Sequence, residues 1–293
     1  MSAALPRPSD DGAATPKAFD RRAISYGDTF PDPLRRRGIQ LIEWLTAKPR
    51  ILSRIRRFEA LPRATGQAFW VQALDVMGIP VTTPLQELAR IPATGPVILV
   101  ANHPHGLIDG MVLAALIGQR RSDFRILTRA LLTGIDPAAS AHMIPVPFPH
   151  DPDSQRKMLA MRAEAQAVLA AGGLVALFPA GRVAEAARPF GPALEGVWHA
   201  FTAKLIRTSG ATVVPVHFTG QNSRAYQLAA QVSPLLRQGL LLHEIARAMD
   251  RPQRPHIGLP LPFDDMAPRL ARPVAAMDWL RSHTLALGGT PKT

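Results

Sequence analysis

The chain of 293 residues contains no cysteine, which excludes disulfide bonds, thiolate metal ligands and a cysteine nucleophile, and fits a reducing compartment. Long apolar runs are also absent, since the longest, 97–101 and 111–118, fall well short of the ~20 residues of a membrane-spanning helix. The first 30 residues lack the apolar centre of a secretory signal. Apolar residues still make up 47% of the chain, so we expect a folded protein with a substantial core and no transmembrane span.

Acidic residues are scarce, with 22 Asp and Glu against 34 Lys and Arg, and the net charge is +12. The excess is concentrated between Leu34 and Arg63, where nine basic residues face only Glu43 and Glu59, a local net charge of +7. Aliphatic residues and Trp44 alternate with these charges at helical spacing, a pattern typical of segments that lie on an anionic membrane. A solvated basic face on ordinary packing helices explains the pattern equally well.

Aromatic residues are few as well, with only two tyrosines, and the chain shows no recognised nucleic-acid-binding module. We therefore expect no nucleic-acid partner.

The order of patterns along the chain predicts three regions. Residues 1–33 have no sustained periodicity and are predicted to be a mobile N-terminal tail. Residues 34–90 are predicted to form short amphipathic basic helices that dock on a membrane, interrupted at Pro49 and Pro62. Residues 91–287 are predicted to form an α/β domain contiguous with these helices.

Within the third region, apolar strand-like runs alternate with helix-like segments. The predicted strands are Val97–Ala101, Phe124–Thr128, Leu174–Phe178, Thr212–His217 and His256–Leu261. The predicted helices are one beginning at Asp109, one from Ser154 as N-cap to Ala171, and others near Leu194–Arg207, Gly239–Met249 and Pro273–Leu287. This alternation predicts an α/β fold with a mainly parallel sheet flanked by helices and preceded by the short N-terminal helices.

The first predicted strand runs into a turn, Asn102 to Gly110, that carries two imidazoles and a carboxylate. Five residues separate His103 from Asp109, and Gly106 permits a tight turn between them. A carboxylate on one imidazole nitrogen fixes the tautomer and makes the other nitrogen a better base, able to activate a hydroxyl or a water. The simpler alternative is that Asp109 caps a helix and His103 is an ordinary turn residue.

A metal site is a second interpretation of the same turn. His103, His105 and Asp109 supply three potential ligands, as a metal-dependent hydrolase would require. The remaining histidines are scattered without ligand spacing, although His217 and His256 near strand ends remain possible additions.

Two later turns also follow predicted strands. Phe178-Pro179-Ala180-Gly181-Arg182 combines turn amides with a guanidinium, a combination that suits a phosphate or carboxylate. The strand at Val213–Val216 contains Pro215 and continues into the polar loop Gly220-Gln221-Asn222-Ser223.

In this order the three segments resemble the glycerolipid and lysophospholipid acyltransferase family, the plsC-type proteins, and especially a branch often labelled hemolysin-like. The family's first block is matched by Asn102, His103 and Asp109, its third by Phe178-Pro179-Ala180-Gly181, and its fourth by Val213–Val216. The likeness covers residues 97–220 and extends to about 262. It departs from the family at Ala180, where a Glu is usual, at Val183, where the Arg falls, and in 141–148, where the second-block Arg is missing.

The resemblance implies that His103 is the general base and Asp109 its orienter in acyl transfer from acyl-CoA or acyl-carrier protein, without a metal or another cofactor. The implied acceptor is a lysophospholipid or related lysolipid, and the implied location is the cytoplasmic face of a membrane, peripheral or monotopic. The residues expected to contact substrate are Asn102, His105, Gly106, Arg129, Phe178, Pro179, Gly181, Arg182 and Asn222. A metal-dependent hydrolase and a non-catalytic lipid-binding protein remain the alternatives.

Overall fold

The computed structural model describes residues 25, 27, 32–62, 64–129, 140–147, 151, 153–188 and 190–289. Within these residues six strands form one sheet in the order β3-β2-β4-β1-β7-β8. The first five of these are mutually parallel, and β8 pairs with β7 in the antiparallel direction. The predicted α/β class with a mainly parallel sheet is therefore confirmed.

The elements have the following bounds in chain order. The strands are β1 Val97–Ala101, β2 Phe124–Arg129, β3 Met143–Val146, β4 Leu174–Leu177, β5 Glu185–Ala186, β6 Ala193–Leu194, β7 Thr212–His217 and β8 His256–Ile257. The helices are α1 Pro33–Thr46, α2 Lys48–Glu59, α3 Ala68–Met77, α4 Leu85–Leu88, α5 Leu107–Gly118, α6 Ser154–Ala170, α7 Ala200–Ser209, α8 Arg224–Val232, α9 Pro234–Gly239, α10 Leu241–Ala248, α11 Phe263–Met266 and α12 Pro273–Ala286.

Helices cover both faces of the sheet. Every residue of β1 is buried, as expected for a central parallel strand packed on both sides. One face packs against α2, α3, α5 and α10, and the other packs against α6, α7 and α12. Helix α5 is apolar around most of its circumference and almost entirely buried, which fixes its first turn rigidly at the end of β1.

Several boundaries differ from the sequence predictions. The helix predicted near Leu194–Arg207 begins only at Ala200, because Leu194 belongs to the β5–β6 hairpin and the next residues form an extended connection. Strand β8 stops at Ile257, although Leu261 still pairs with Val213 as an isolated bridge. The predicted N-cap Ser154 is the first helical residue of α6, and Asp153 precedes it in the left-handed conformation.

The N-terminal helices carry an exposed apolar stripe. Leu34, Leu41, Trp44 and Leu45 on α1 are 79%, 59%, 55% and 74% exposed, and helical spacing places them on one side. On the opposite side Ile39 and Glu43 are fully buried. The interruption at Pro49 is only a change of direction, since this residue lies in the first turn of α2.

Two of the basic residues of α2 form ion pairs within the protein. Arg50 and Arg54 both pair with Asp250, at 2.8 and 2.7 Å, and Arg54 also donates to the carbonyl of Val76. These two arginines attach α2 to the rest of the protein, whereas Arg56 and Arg57 are exposed. Among the described residues no helix is both long and apolar enough to cross a membrane. The predicted tail, 1–33, lies almost entirely outside the described residues.

Candidate active site

The turns after β1, β4 and β7 meet at one edge of the sheet because these strands are parallel neighbours in register. Val100 of β1 lies opposite Leu177 at the end of β4, and Ala101 lies opposite Val216 near the end of β7. The three segments singled out in the sequence therefore come together at the carboxyl ends of the strands, where open α/β sheets bind their ligands.

Asp109 is the centre of this edge. It lies in the first turn of α5, and its side chain is fully buried. Its Oδ2 accepts hydrogen bonds from His103 Nδ1 at 3.0 Å and from the backbone N–H groups of His105 at 2.8 Å and Gly106 at 3.1 Å. Its Oδ1 accepts from His105 Nδ1 at 3.0 Å. The predicted pairing of Asp109 with His103 is thus present in the structure, with His105 as a second imidazole on the same carboxylate.

These contacts set the ionisation of the carboxylate. Burial by itself raises the pKa of Asp109, but the hydrogen bonds and charges of His103 and His105 outweigh it and hold the pKa below its usual value. Burial likewise lowers the pKa of His105, yet the hydrogen bond and charge of Asp109 raise it overall. Asp109 is therefore ionised at neutral pH, and each neutral imidazole donates from Nδ1 and keeps its lone pair on Nε2.

His103 is held by contacts on all sides. Its ring stacks on that of Phe178, with centroids 3.9 Å apart and planes inclined by 22°. Its backbone N–H donates to Glu195 Oε2 at 3.1 Å, and its carbonyl accepts from the N–H of Ala184 at 2.8 Å. The side chain remains 17% exposed, which leaves the imidazole accessible from solvent.

Glu195 is a site residue that the sequence did not single out. Burial raises the pKa of this carboxyl, and hydrogen bonds from Trp198 and the His103 backbone oppose the rise. The following residue, Gly196, lies against Ala180, because a Cβ placed there would be 3.4 Å from the Ala180 Cβ. Glu195, which follows β6, thus holds the backbone of the histidine turn. It lies near Ala180, the position at which the resembled family usually has a Glu. This proximity has no local signal in the sequence.

Asn102 was expected to contact substrate, but the structure engages its amide elsewhere. Its Nδ2 donates to the carbonyl of Phe218 at 2.9 Å, and its Oδ1 accepts the Phe218 N–H at 2.7 Å. The side chain is only 5% exposed. Asn102 therefore joins the ends of β1 and β7, and its contact with substrate stays a prediction.

His105 was also expected to line the substrate pocket. Its side chain is 13% exposed, and its Nε2 faces the loop after β7, since a Cβ at Gly220 would lie 3.1 Å from it. Gly220 has a φ of +97°, a conformation that glycine adopts readily and other residues do not. His105 therefore lies between Asp109 and this loop, and its contact with substrate stays a prediction.

Most of the other residues that were expected to contact substrate also lie at the carboxyl ends of the strands, and they differ in how far they are exposed. Gly106 and Gly181 both have positive φ, at +73° and +64°, and shape the turns. Pro179 accepts a hydrogen bond from the N–H of His199, and Arg182 is exposed. Arg129 ends β2, and its side chain lies outside the described residues.

Asn222 is 3% exposed, and its Nδ2 has no hydrogen-bond partner among the described residues. The loop residue next to it, Ser223, caps α8 by accepting from the N–H of Tyr226, and it also bonds Glu244. A cavity of about 160 Å³ lies nearby, lined by Phe190, Gly191, Pro192, Gln221, Arg224 and Gln227, and it does not include His103.

For a metal, the described residues contain no group of three His, Asp or Glu side chains arranged to hold one. In particular, the Nδ1 atoms of His103 and His105 are each hydrogen-bonded to Asp109 at 3.0 Å. These three side chains thus form a hydrogen-bonded cluster.

Comparison with known proteins finds a matching family model and similar solved structures. Residues 85–219 match the family model described as Acyltransferase, and this range includes the histidine turn, the Phe178 turn and β7. A solved structure, the 1-acyl-sn-glycerophosphate (LPA) acyltransferase PlsC from Thermotoga maritima, is similar with a TM-score of 0.45 and 14% sequence identity, covering 91% of this chain and 87% of that chain. No curated protein matches the sequence significantly.

Proposed function

Because residues 85–219 match the Acyltransferase family model, we propose that the chain transfers a fatty acyl group from a thioester, acyl-CoA or acyl-carrier protein, to a hydroxyl of a lysophospholipid or related lysolipid. The observation that carries the proposal is the pairing of His103 Nδ1 with the buried Asp109 carboxylate at 3.0 Å. This arrangement orients one imidazole and strengthens its other nitrogen as a base.

The reaction needs only these groups and the two substrates. Nε2 of His103 removes the proton of the acceptor hydroxyl while the oxygen attacks the thioester carbonyl carbon. The tetrahedral intermediate then collapses, the carbon–sulfur bond breaks, and the thiolate takes the proton back from His103. An ester and a free thiol are formed, and Asp109 stabilises the transient imidazolium without taking up the proton itself.

His103 suits the role of base better than His105. Both rings are oriented by Asp109, but Nε2 of His105 faces Gly220. His103 is in addition fixed by its stack on Phe178 and by the bond from its amide to Glu195. A base must reach the proton that it removes, and the more exposed, more firmly held ring meets this condition.

We also propose that the protein works on the cytoplasmic face of an anionic membrane, held peripherally by α1. The support is the exposed stripe of Leu34, Leu41, Trp44 and Leu45, together with the exposed Arg56 and Arg57 on α2. An exposed apolar stripe in a segment that also exposes cations is what interfacial helices present to lipid. A lysolipid acceptor would then reach the site from the surface to which the protein is bound.

The transfer reaction is tested by following thiol release from acyl-CoA in the presence of lysophosphatidic acid and other lysolipids. Because the chain has no cysteine, a thiol reagent gives no background from the protein itself. We expect release that depends on the lysolipid and that falls by about 10²–10⁴-fold in His103→Ala, the usual contribution of a general base. His283→Gln, on α12 and outside the site, is the matched control and should retain the wild-type rate.

The other outcomes separate the alternatives. An unchanged rate in folded His103→Ala would refute the assigned base. Chelator-sensitive hydrolysis, restored by zinc or manganese and independent of any acceptor, would favour the metal-dependent hydrolase. Lipid binding without turnover across several donors and acceptors would favour the non-catalytic protein.

Membrane docking is tested by co-sedimentation with vesicles of neutral or partly anionic phospholipid. Leu45→Asp should reduce binding, and salt should weaken the wild-type interaction, because both apolar insertion and charge contribute. Leu159→Asp is a matched control, since Leu159 is 65% exposed but lies on α6, on the opposite face of the sheet. Equal effects of the two substitutions would argue against a docking surface on α1.

A further inference from the structure

The two oxygens of Asp109 are supported unequally. Oδ2, the oxygen that faces His103, accepts three hydrogen bonds, from His103 Nδ1 and from the backbone N–H groups of His105 and Gly106. Oδ1 accepts from the His105 side chain. The carboxylate is fully buried, so water does not readily replace a lost donor at Oδ1.

We propose that His105 is a positioning residue for acyl transfer, because its side chain holds Oδ1 of Asp109 and thereby orients Oδ2 towards His103. The inference rests on the proposed function and goes beyond it, since neither the chemistry nor the resemblance assigns a role on Asp109 to this residue. Removing the donor would leave Oδ1 unpaired in a buried site, which disfavours the ionised carboxylate that His103 needs.

The surroundings of His105 make its effect depend on protonation. Asp109 faces Nδ1, and Glu244 and Arg247 of α10 act on the ring with opposite signs. His103 shares the same carboxylate. When His105 takes up a proton on Nε2, its positive charge offsets that of Asp109 and opposes a second positive charge on His103. The active form therefore has Asp109 ionised and both imidazoles neutral.

Two variants separate the hydrogen bond from the shape and from the proton. His105→Asn places an amide N–H close to the position of Nδ1, so it still donates to Oδ1 but does not titrate. His105→Phe keeps a ring of similar size and removes the donor. We expect kcat of His105→Phe to fall about ten- to a hundredfold with little change in KM, the range for one unpaired buried acceptor. His105→Asn should stay within about threefold of wild type above pH 8.

The pH dependence of kcat/KM gives a readout that packing alone does not move. On the acid side kcat/KM should fall more steeply in the wild type than in His105→Asn, because protonation of His105 contributes only in the wild type. Equal impairment of the Asn and Phe variants, or the same slope in the wild type and His105→Asn, would overturn the proposal. So would a His105→Phe variant with wild-type kcat.

A measurement without turnover keeps this inference separate from the proposed function. Titration of ¹⁵N-labelled histidines by NMR should show that His105 holds its proton to higher pH in the wild type than in Asp109→Asn. If this shift is seen but no lysolipid is acylated, the proposed function fails and the coupling of His105 to Asp109 stands. If transfer is seen without the shift, the positioning role fails. The titration also decides the matter if His105→Phe does not fold.

Discussion

Replacing Asn102 by alanine should lower stability more than substrate affinity. The side chain donates to the carbonyl of Phe218 at 2.9 Å and accepts its N–H at 2.7 Å, and Phe218 is 1% exposed. The substitution therefore leaves two buried backbone groups without partners. Each such group costs about 1–3 kcal/mol, so the free energy of unfolding should fall by roughly 2–6 kcal/mol. At roughly 2–4 °C per kcal/mol for domains approaching this size, Tm should fall by at least about 4 °C.

Thermal and urea unfolding followed by circular dichroism measure this loss, and KM for the lysolipid is determined on the folded fraction. Asn222→Ala is the matched control, because Asn222 is equally buried but its Nδ2 has no partner among the described residues. It should cost markedly less. An Asn102→Ala protein with wild-type Tm and a raised KM would refute the reasoning and restore Asn102 as a substrate contact.

Two further predictions concern the same edge of the sheet. Gly220→Ala should lower the free energy of unfolding by about 1–3 kcal/mol and also lower kcat, because a side chain at φ +97° is strained and its Cβ would lie 3.1 Å from His105 Nε2. Urea unfolding measures the loss. Gly210→Ala is the control for strain without contact, because Gly210 has a φ of +60° and a Cβ there would have no atom within 4 Å. Burial, and secondly the charge of His256, lower the pKa of His217 from 6.5 to about 4. The unfolded chain therefore takes up this proton first, and stability should fall as pH drops from 6.5 towards 4. In His217→Phe the Tm should decline less over that interval, and an identical decline would contradict the assignment.

The sheet and the His103–Asp109 pair are features that the sequence could predict. Parallel strands buried on both faces are continuous apolar runs, so β1 and β7 are found with their observed bounds. The pair is equally accessible to prediction, because both residues lie on one turn whose geometry is set by Gly106 and by the first turn of α5. A contact between residues this close in sequence can be predicted from their spacing.

Contacts between distant segments were not predictable in the same way. Glu195 reaches the amide of His103 across 92 residues, and Asn102 reaches Phe218 across 116 residues. The sequence around Glu195 and Asn102 does not indicate whether their side chains hydrogen-bond the protein backbone or a ligand. The apolar and basic pattern of α2 was also ambiguous, since Arg50 and Arg54 form ion pairs with Asp250 within the protein.

The hydrogen bonds of the buried Asp109 carboxylate are strongly local in sequence. The four hydrogen bonds that it accepts among the described residues come from His103, His105 and Gly106, all within a single stretch of seven residues that ends at Asp109. The turn after β4, which contains Ala180 and Val183, contributes none of these donors. A substitution confined to that turn therefore leaves the donors to the carboxylate in place, whereas replacing His103 or His105 removes one of them directly.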